Sequence, residues 1–200
     1  VNGEKIYNDI EISNKFCEHY TNVGKNLSST IHGSTHNSEE YIKFNSTKTL
    51  YLHHVTYIEI ERLIKDLKTK NSKGHDNISN VFLKKIMYSV ISVIEYIFNR
   101  SIMERKTPKI WKYAYISPLY KKGQKYKFVN YRPVSLLPVI SKILEKCMFN
   151  RIYDFLEKNK IIYPSQYGYR KKHSTQDAGL ELLKEILTAN EDKKFTMAIF

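Results

Sequence analysis

Apolar residues recur at helical spacing in five stretches of the chain, separated by turn-forming or basic segments. From Ile10 to Leu27, Phe16, Tyr20 and Val23 fall on one side of a helix, with loop-like Asn8 and Asp9 ahead of it. From Ser28 to Thr49 the composition shifts to Ser, Thr, Asn, His and Gly, the pattern of a linker. Thr56-Tyr57-Ile58-Glu59 has the form of a capping box, with Ile60, Leu63, Ile64 and Leu67 following at helical spacing, and predicts a helix from Thr56 to Lys68. A turn spans Lys70 to Asn77. A second, sparsely charged helix is expected from Ser79 to Met103, with Phe82, Ile86, Val90, Val93, Ile94 and Ile97 inward.

Beyond Pro108 the pattern changes. Trp111 to Leu119 has the Trp, Tyr and Ile content of a strand, Lys121 to Val129 is a basic glycine-containing loop, and Tyr131 to Leu137 reads as a second strand bounded by Pro138. Two strands joined in this way make a hairpin. A long helix is predicted from Val139 to Asn159, with Ile143, Leu144, Cys147, Ile152, Phe155 and Leu156 inward. Tyr163 to Lys172 is irregular, and Ser174-Thr175 opens a last helix to Ala189 with Leu182, Leu183, Ile186 and Leu187 inward. Phe195 to Phe200 reads as a strand.

Charge gives this skeleton a direction. The net charge is +13, and from Arg105 to Leu144 there is no acidic residue among ten Lys and Arg. An excess of that size points first to nucleic acid and second to an anionic membrane surface. No window approaches the roughly 18 consecutive apolar residues of a membrane span. The basic residues are also arranged around Tyr/Pro/Leu strands, and not along one amphipathic helix. Cys17 and Cys147 lie far apart with no Cys or His at metal spacing, which argues against a disulfide framework or structural zinc. His32, His36, His53 and His54 sit in loop context without Cys partners and read as solvated or packed histidines. Val1 is neither an initiator Met nor the start of a secretory signal, so the chain is expected to be a piece of a longer one.

Two constellations stand out by residue type. Lys121 and Arg132 fall on facing arms of the predicted hairpin, with Lys122 beside them. A point-charge ammonium and a forked guanidinium together suit a triphosphate, although residue type alone favours solvated surface charges. Gln166-Tyr167-Gly168-Tyr169-Arg170-Lys171-Lys172-His173-Ser174-Thr175 combines a glycine that permits close approach, aromatics able to pack beneath a strand or to stack, three cations and a serine able to cap the next helix. A turn with a helix cap and no ligand suits the aromatics equally well, and suits Arg170 less. In Lys73-Gly74-His75-Asp76-Asn77-Ile78-Ser79 the expected role is structural, with Asp76 capping the following helix and Asn77 tolerating a left-handed backbone.

Pro118-Leu119-Tyr120-Lys121-Lys122-Gly123, then Asn130-Tyr131-Arg132-Pro133-Val134-Ser135-Leu136-Leu137-Pro138, then the Gln166–Thr175 block resemble, in this order and spacing, the fingers of reverse transcriptases from non-LTR (LINE-like) retrotransposons. Lys73 to Ser79 resembles the turn found upstream of that hairpin. Ile12 to Leu27 resembles the segment joining endonuclease to polymerase in such elements. Tyr167 and Tyr169 stand where Phe is common in the family, Asn77 where a glycine is common, and Lys172 and His173 where Gly and Arg are frequent.

The resemblance implies an α+β, helix-rich fold: the fingers of a right-hand polymerase with a small antiparallel sheet and an incomplete palm. It divides the chain into an interdomain helix and polar linker (1–50), an N-terminal helical extension (51–106), and fingers with the start of the palm (107–200). It implies nucleotide binding by Lys121 and Arg132. Template contact would fall to Lys122, Gln166, Tyr169, Arg170, Lys171, Lys172 and Ser174. The implied parent is an intracellular RNA-directed DNA polymerase of nucleus and cytoplasm. It would use Mg2+, an RNA template, a DNA primer and deoxynucleoside triphosphates, with an upstream endonuclease domain and no membrane. Two-metal nucleotidyl transfer requires clustered carboxylates. Glu145, Asp154, Glu157, Asp177, Glu181 and Glu185 are instead scattered on what helical spacing makes solvated faces. In the family the first metal-binding Asp follows an apolar strand like Thr196 to Phe200, so this piece alone is expected to bind nucleic acid without polymerising. A group II intron maturase-like protein and a non-enzymatic nucleic-acid binder derived from such an element are the alternatives.

Overall fold

The computed structural model describes residues 5–31 and 48–197. Most of the Ser28–Thr49 linker and the end of the expected Phe195–Phe200 strand lie outside the described residues. Residues 195–197 form no strand, and residues 28–30 belong to the first helix.

Capping chemistry sets the helix starts. Helix α1 (Asp9–Thr30) begins where the Asn8 carboxamide oxygen accepts from the Ile10 and Glu11 amides, at 2.9 and 3.1 Å. Helix α2 (Tyr57–Lys65) begins where the Thr56 hydroxyl accepts from Glu59 N–H. Helix α3 (Asn80–Glu104) is capped by Ser79, which accepts from Phe82 N–H at 3.1 Å. The expected cap Asp76 instead forms a turn of its own, its carboxylate accepting from Ile78 N–H. Ser79 wins because it stands next to the first helical residue, whereas Asp76 is three residues further out. Asn77 adopts φ +58°, the left-handed geometry expected of it.

Helix α3 seats itself differently from the expected face. Leu83, Met87, Ile91, Ile94 and Phe98 are buried, while Phe82 and Val93 are 51% and 59% exposed. Both stripes follow helical spacing, and an element apolar on most of its surface does not reveal from periodicity alone which stripe its neighbours will cover. The covering residues are Val55, Ile60 and Ile64 from and before α2, and Val139, Ile143, Leu144 and Cys147 from helix α4 (Val139–Lys158). One hydrophobic cluster thus joins the segment before Arg105 to Val139, Ile143 and Leu144 at the far end of the acid-free run and to Cys147 just beyond it.

Polar bonds fix the mutual register of α2 and α3. Asn99 pairs with both backbone groups of Val55, accepting from its N–H (2.8 Å) and donating to its carbonyl (2.9 Å). Glu95 accepts from Tyr57 N–H (2.9 Å) at the start of α2, and Lys84 donates to the Lys65 carbonyl (2.7 Å) at its end. The bonds to Tyr57 and Lys65 satisfy helix-terminal groups that would otherwise lack partners.

After a 3-10 turn at Lys109–Lys112, which takes Trp111 and Lys112 out of the expected strand, β1 (Tyr115–Tyr120) pairs antiparallel with β2 (Tyr131–Leu136). Trp111 instead packs edge-on against Phe98 of the core. The register sets Pro118 opposite Pro133. Since neither can donate, that pair must be of the non-hydrogen-bonded kind, which turns a donor-free position to each outer edge and blunts both against further pairing. Gly74 fits beneath the end of β2: a Cβ there would lie 2.8 Å from Pro138 N and 3.0 Å from Leu137 C.

The described chain forms two compact units, Val1–Phe149 and Asn150–Phe200, with α4 running through the boundary. In the second unit, helix α5 (Thr175–Glu191) is closed at its start by a complete capping box between Ser174 and Asp177. The inward positions expected on it, Leu182, Leu183, Ile186 and Leu187, are all exposed, as is Ile152 on α4. Among the described residues of that unit, none supplies a second apolar surface to cover the α5 stripe. The fold is therefore α+β and helix-rich with one small antiparallel sheet.

Candidate nucleic-acid interface

The hairpin has two faces, and its register sorts the basic residues between them. Opposed residues of an antiparallel pair share a face, and successive residues alternate. Leu119 opposes Arg132, and the ladder continues with Lys121 N–H donating to the Asn130 carbonyl at 2.8 Å. Lys121 therefore stands diagonal to Arg132 on the same face, a separation of about 7–8 Å between such backbone positions. Val134 and Tyr115 lie further along that face, and all five side chains are exposed. Tyr120 and Tyr131 oppose each other on the other face, their rings in edge contact at 5.6 Å.

The connecting loop is tied from within. Tyr120 Oη donates to the Gly123 carbonyl (2.6 Å), Tyr131 Oη to the Lys125 carbonyl (2.7 Å) and Asn130 Nδ2 to the Gln124 carbonyl (2.8 Å). Gly123 sits at φ +92°, and a Cβ there would come within 2.8 Å of the Asn130 amide. Only glycine meets both demands. Backbone carbonyls are thus bonded inward while the ammoniums of Lys121 and Lys122 remain in solvent and that of Lys125 lies 5.8 Å above the Tyr120 ring. This loop holds positive charge in a set shape without burying any of it.

In the second unit the Gln166–Ser174 block is anchored to α4. Arg170 forms a forked pair with Glu157, Nε to Oε1 at 2.9 Å and Nη2 to Oε2 at 3.2 Å, and Tyr153 Oη donates to the same carboxylate at 2.8 Å. The Arg170 guanidinium, then the Tyr153 hydroxyl, hold the Glu157 carboxyl below the usual carboxylate range. Glu157, expected on a solvated face, is therefore a partner of the loop. Helical spacing locates its Cα but does not show that an arginine thirteen residues later returns to it. Lys171 N–H donates to Tyr153 Oη (2.9 Å), and its ammonium lies 4.7 Å above the Tyr153 ring.

The remaining expected contacts divide into engaged and free side chains. Gln166 Nε2 donates to the Gly168 carbonyl (2.9 Å). Ser174 Oγ donates to Asp177 (2.8 Å) and accepts from its N–H (3.2 Å). These bonds lower the Asp177 pKa, the side-chain bond first and the backbone bond second. The amino end of α5 thus carries its own carboxylate. Tyr169 and Lys172 project into solvent from left-handed backbone, φ +59° and +62°. That geometry is the one in which glycine is least strained. Gly168, expected to allow a close approach, would meet only Gln166 Nε2 at 3.8 Å. Tyr153 and Glu157 were missed in the sequence, and their i, i+4 spacing on one helix was the available signal.

Among the described residues no group of three or more His, Cys, Asp or Glu side chains comes together to hold a metal, and no helix is long and apolar enough to cross a membrane.

No family model matches the chain. Over 143 residues, 71% of the chain, it is 36% identical to a probable RNA-directed DNA polymerase from transposon BS of Drosophila melanogaster. It is 31% identical over 163 residues, 81% of the chain, to the RNA-directed DNA polymerase from mobile element jockey of the same species. Over 143 residues it is 32% identical to a probable RNA-directed DNA polymerase from transposon X-element. The chain spans less than a fifth of the length of these curated relatives, 16, 18 and 16% respectively.

Proposed function

We propose, from the premise that this chain is homologous to the RNA-directed DNA polymerases of non-LTR retrotransposons, that it forms part of the fingers of a right-hand polymerase and grips template and incoming nucleotide. The observation that carries the reading is the pairing of Lys121 and Arg132 on one open face of a hairpin whose loop is held rigid from inside. A triphosphate gathers charge as pyrophosphate departs. An ammonium and a guanidinium fixed on one surface stabilise that charge without moving. Lys122, Lys171, Lys172 and the solvent-facing ring of Tyr169 follow the template strand by charge and stacking. Arg170, Gln166 and Ser174 serve that strand by holding the loop in shape, through Glu157, Gly168 and Asp177.

The parent acts as a reverse transcriptase on RNA template, DNA primer and deoxynucleoside triphosphates. An endonuclease domain lies upstream of α1, and the element's cycle passes through cytoplasm and nucleus. The divalent ion of such a polymerase, Mg2+, finds no fitting donor set among the described residues, so no metal ligand is assigned here. Similarity to mobile-element polymerases favours this reading over a maturase.

Steady-state kinetics of the full-length parent test it. Lys121→Ala and Arg132→Ala should each lower kcat/KM for the nucleotide by about 10- to 100-fold, the loss of one charge-assisted bond, with the melting temperature unchanged. Unaltered kinetics in both variants would overturn the assignment.

A further inference from the structure

The tyrosine face of the hairpin, opposite Lys121 and Arg132, is not closed off. Phe16 of α1 packs on it, 4.7 Å from the Phe128 ring and 5.1 Å from the Tyr131 ring, both in edge contact. Where the residues before α1 pass the hairpin loop, this packing leaves a cleft of about 660 Å³. That is within the range of about 300–1,000 Å³ that encloses small organic groups, enough for a base with its sugar and phosphate.

The chemistry of the walls is selective. Five of the ten lining residues are aromatic, three are lysines and none is acidic. Phe16, Phe128 and Tyr131 form the partly buried floor, whereas Tyr7 and Tyr126 stand 82% and 66% exposed at the sides. Lys125 and Lys127 belong to the acid-free run. Asp9 and Glu11 of the first α1 turn are not among the lining residues.

Exposed aromatic rings cost solubility and stabilise nothing in the fold, so rings flanked by ammoniums need a partner that offers both a π-face and negative charge. Duplex bases are already stacked on each other and present no free face. An unpaired base presents one, with phosphates on either side at lysine reach. The lining holds no amide or carboxylate side chain to read a base edge.

The geometry points to a single-stranded nucleic-acid site in this cleft, where Tyr7 and Tyr126 stack an unpaired base and Lys125 and Lys127 hold its phosphates, without sequence preference. This contact is separate from the nucleotide grip, lies on the opposite face of the hairpin, and needs neither nucleotide nor polymerisation.

Fluorescence anisotropy of the 200-residue chain with a labelled oligouridine of about a dozen nucleotides tests the site. The expected results are binding that weakens with salt, and a much weaker complex with the same strand in a duplex. Oligothymidine should bind within a few-fold of oligouridine. Tyr7→Ala with Tyr126→Ala should weaken binding about five-fold or more per ring, whereas the two Phe replacements should retain it. Lys125→Ala with Lys127→Ala should flatten the salt dependence by about 0.7 in log–log slope per lysine. Tyr96→Ala, an exposed tyrosine on α3, should change nothing, and circular dichroism should match the parent chain in every case. Photocrosslinks from halogenated uridine should map to Tyr7, Tyr126 or Phe128. The proposal is overturned by unchanged affinity in the double tyrosine variant, equal affinity for duplex, binding confined to one sugar, crosslinks mapping only elsewhere, or uptake by anionic vesicles with no oligomer binding. Because no nucleotide is present, these outcomes are independent of the kinetics of Lys121 and Arg132.

Discussion

In the cluster formed by α2, α3 and α4, Phe98, Ile60, Ile91 and Ile143 are almost wholly removed from water, whereas no residue of β1 or β2 is buried. Both regions are rich in aromatic and branched side chains, so composition does not separate them. What separates them is the number of covered sides. The core helices share one apolar cluster, while the hairpin is a two-stranded sheet with α1 against part of one face and the other face exposed apart from the edge contact of His75 with Tyr115. The core stabilises the chain through burial. The hairpin is shaped by bonds between its own side chains and loop carbonyls, and its apolar and basic groups remain available to another molecule. Stability and recognition are thus assigned to different elements.

The sharpest way to break that comparison is to truncate one apolar side chain in each region. Phe98→Ala removes a fully buried ring and should cost about 3–5 kcal/mol. Leu119→Ala, at 58% exposure, should cost less than about 0.5 kcal/mol. Urea denaturation of both variants measures the difference, and similar losses would show that the hairpin is part of the folding core.

A smaller effect should appear where the two regions touch. Gly74→Ala drives a methyl group into the backbone at Leu137 and Pro138, where β2 hands over to α4, and should cost about 1–3 kcal/mol. Chemical-shift changes should spread from Gly74 to both β2 and α4. A neutral outcome would mean that the hairpin base is free to move relative to the core.

The smallest effect concerns the second unit, whose loop is held by a half-buried ion pair. The folded-state pKa of Glu157 is lowered by Arg170, so the anchoring is fully present above the unfolded value of about 4.3. It is lost as pH falls through the lower folded value. Limited proteolysis between Tyr163 and Lys172 should accelerate below that window in the parent chain, with little change in the core. Glu157→Gln should show the faster cleavage at neutral pH already, with its pH dependence removed.

How much was legible in the sequence follows the same division. Helix starts were readable because a cap bonds within three residues: Thr56 and Ser174 cap as expected, and the hairpin arms end within a residue or so of the expected positions. Asn77 was readable because few residues accept left-handed backbone. Trp111 was assigned to a strand because its type suits one. It left the strand because Phe98, thirteen positions earlier, offered its ring a better surface. Lys121 and Arg132 were identified through resemblance, but their common face came from the register. That register, which sets Pro118 opposite Pro133, is not announced by either strand's own sequence. Glu157 was misplaced because its partner arrives through an irregular loop.

By itself the sequence determined the order and type of the elements, the acid-free basic run, the hairpin arms and the kinship with mobile-element polymerases, since each depends on near neighbours or on the residue string itself. Only the tertiary structure decided which of two apolar stripes on α3 is buried, that the stripe on α5 is left uncovered, that Arg170 is held by Glu157, and that Phe16 and the hairpin loop enclose an aromatic cleft. Those outcomes depend on which surfaces meet across long separations in the chain. Periodicity sets a helical residue's direction around its own axis, but the neighbour it meets is chosen by packing.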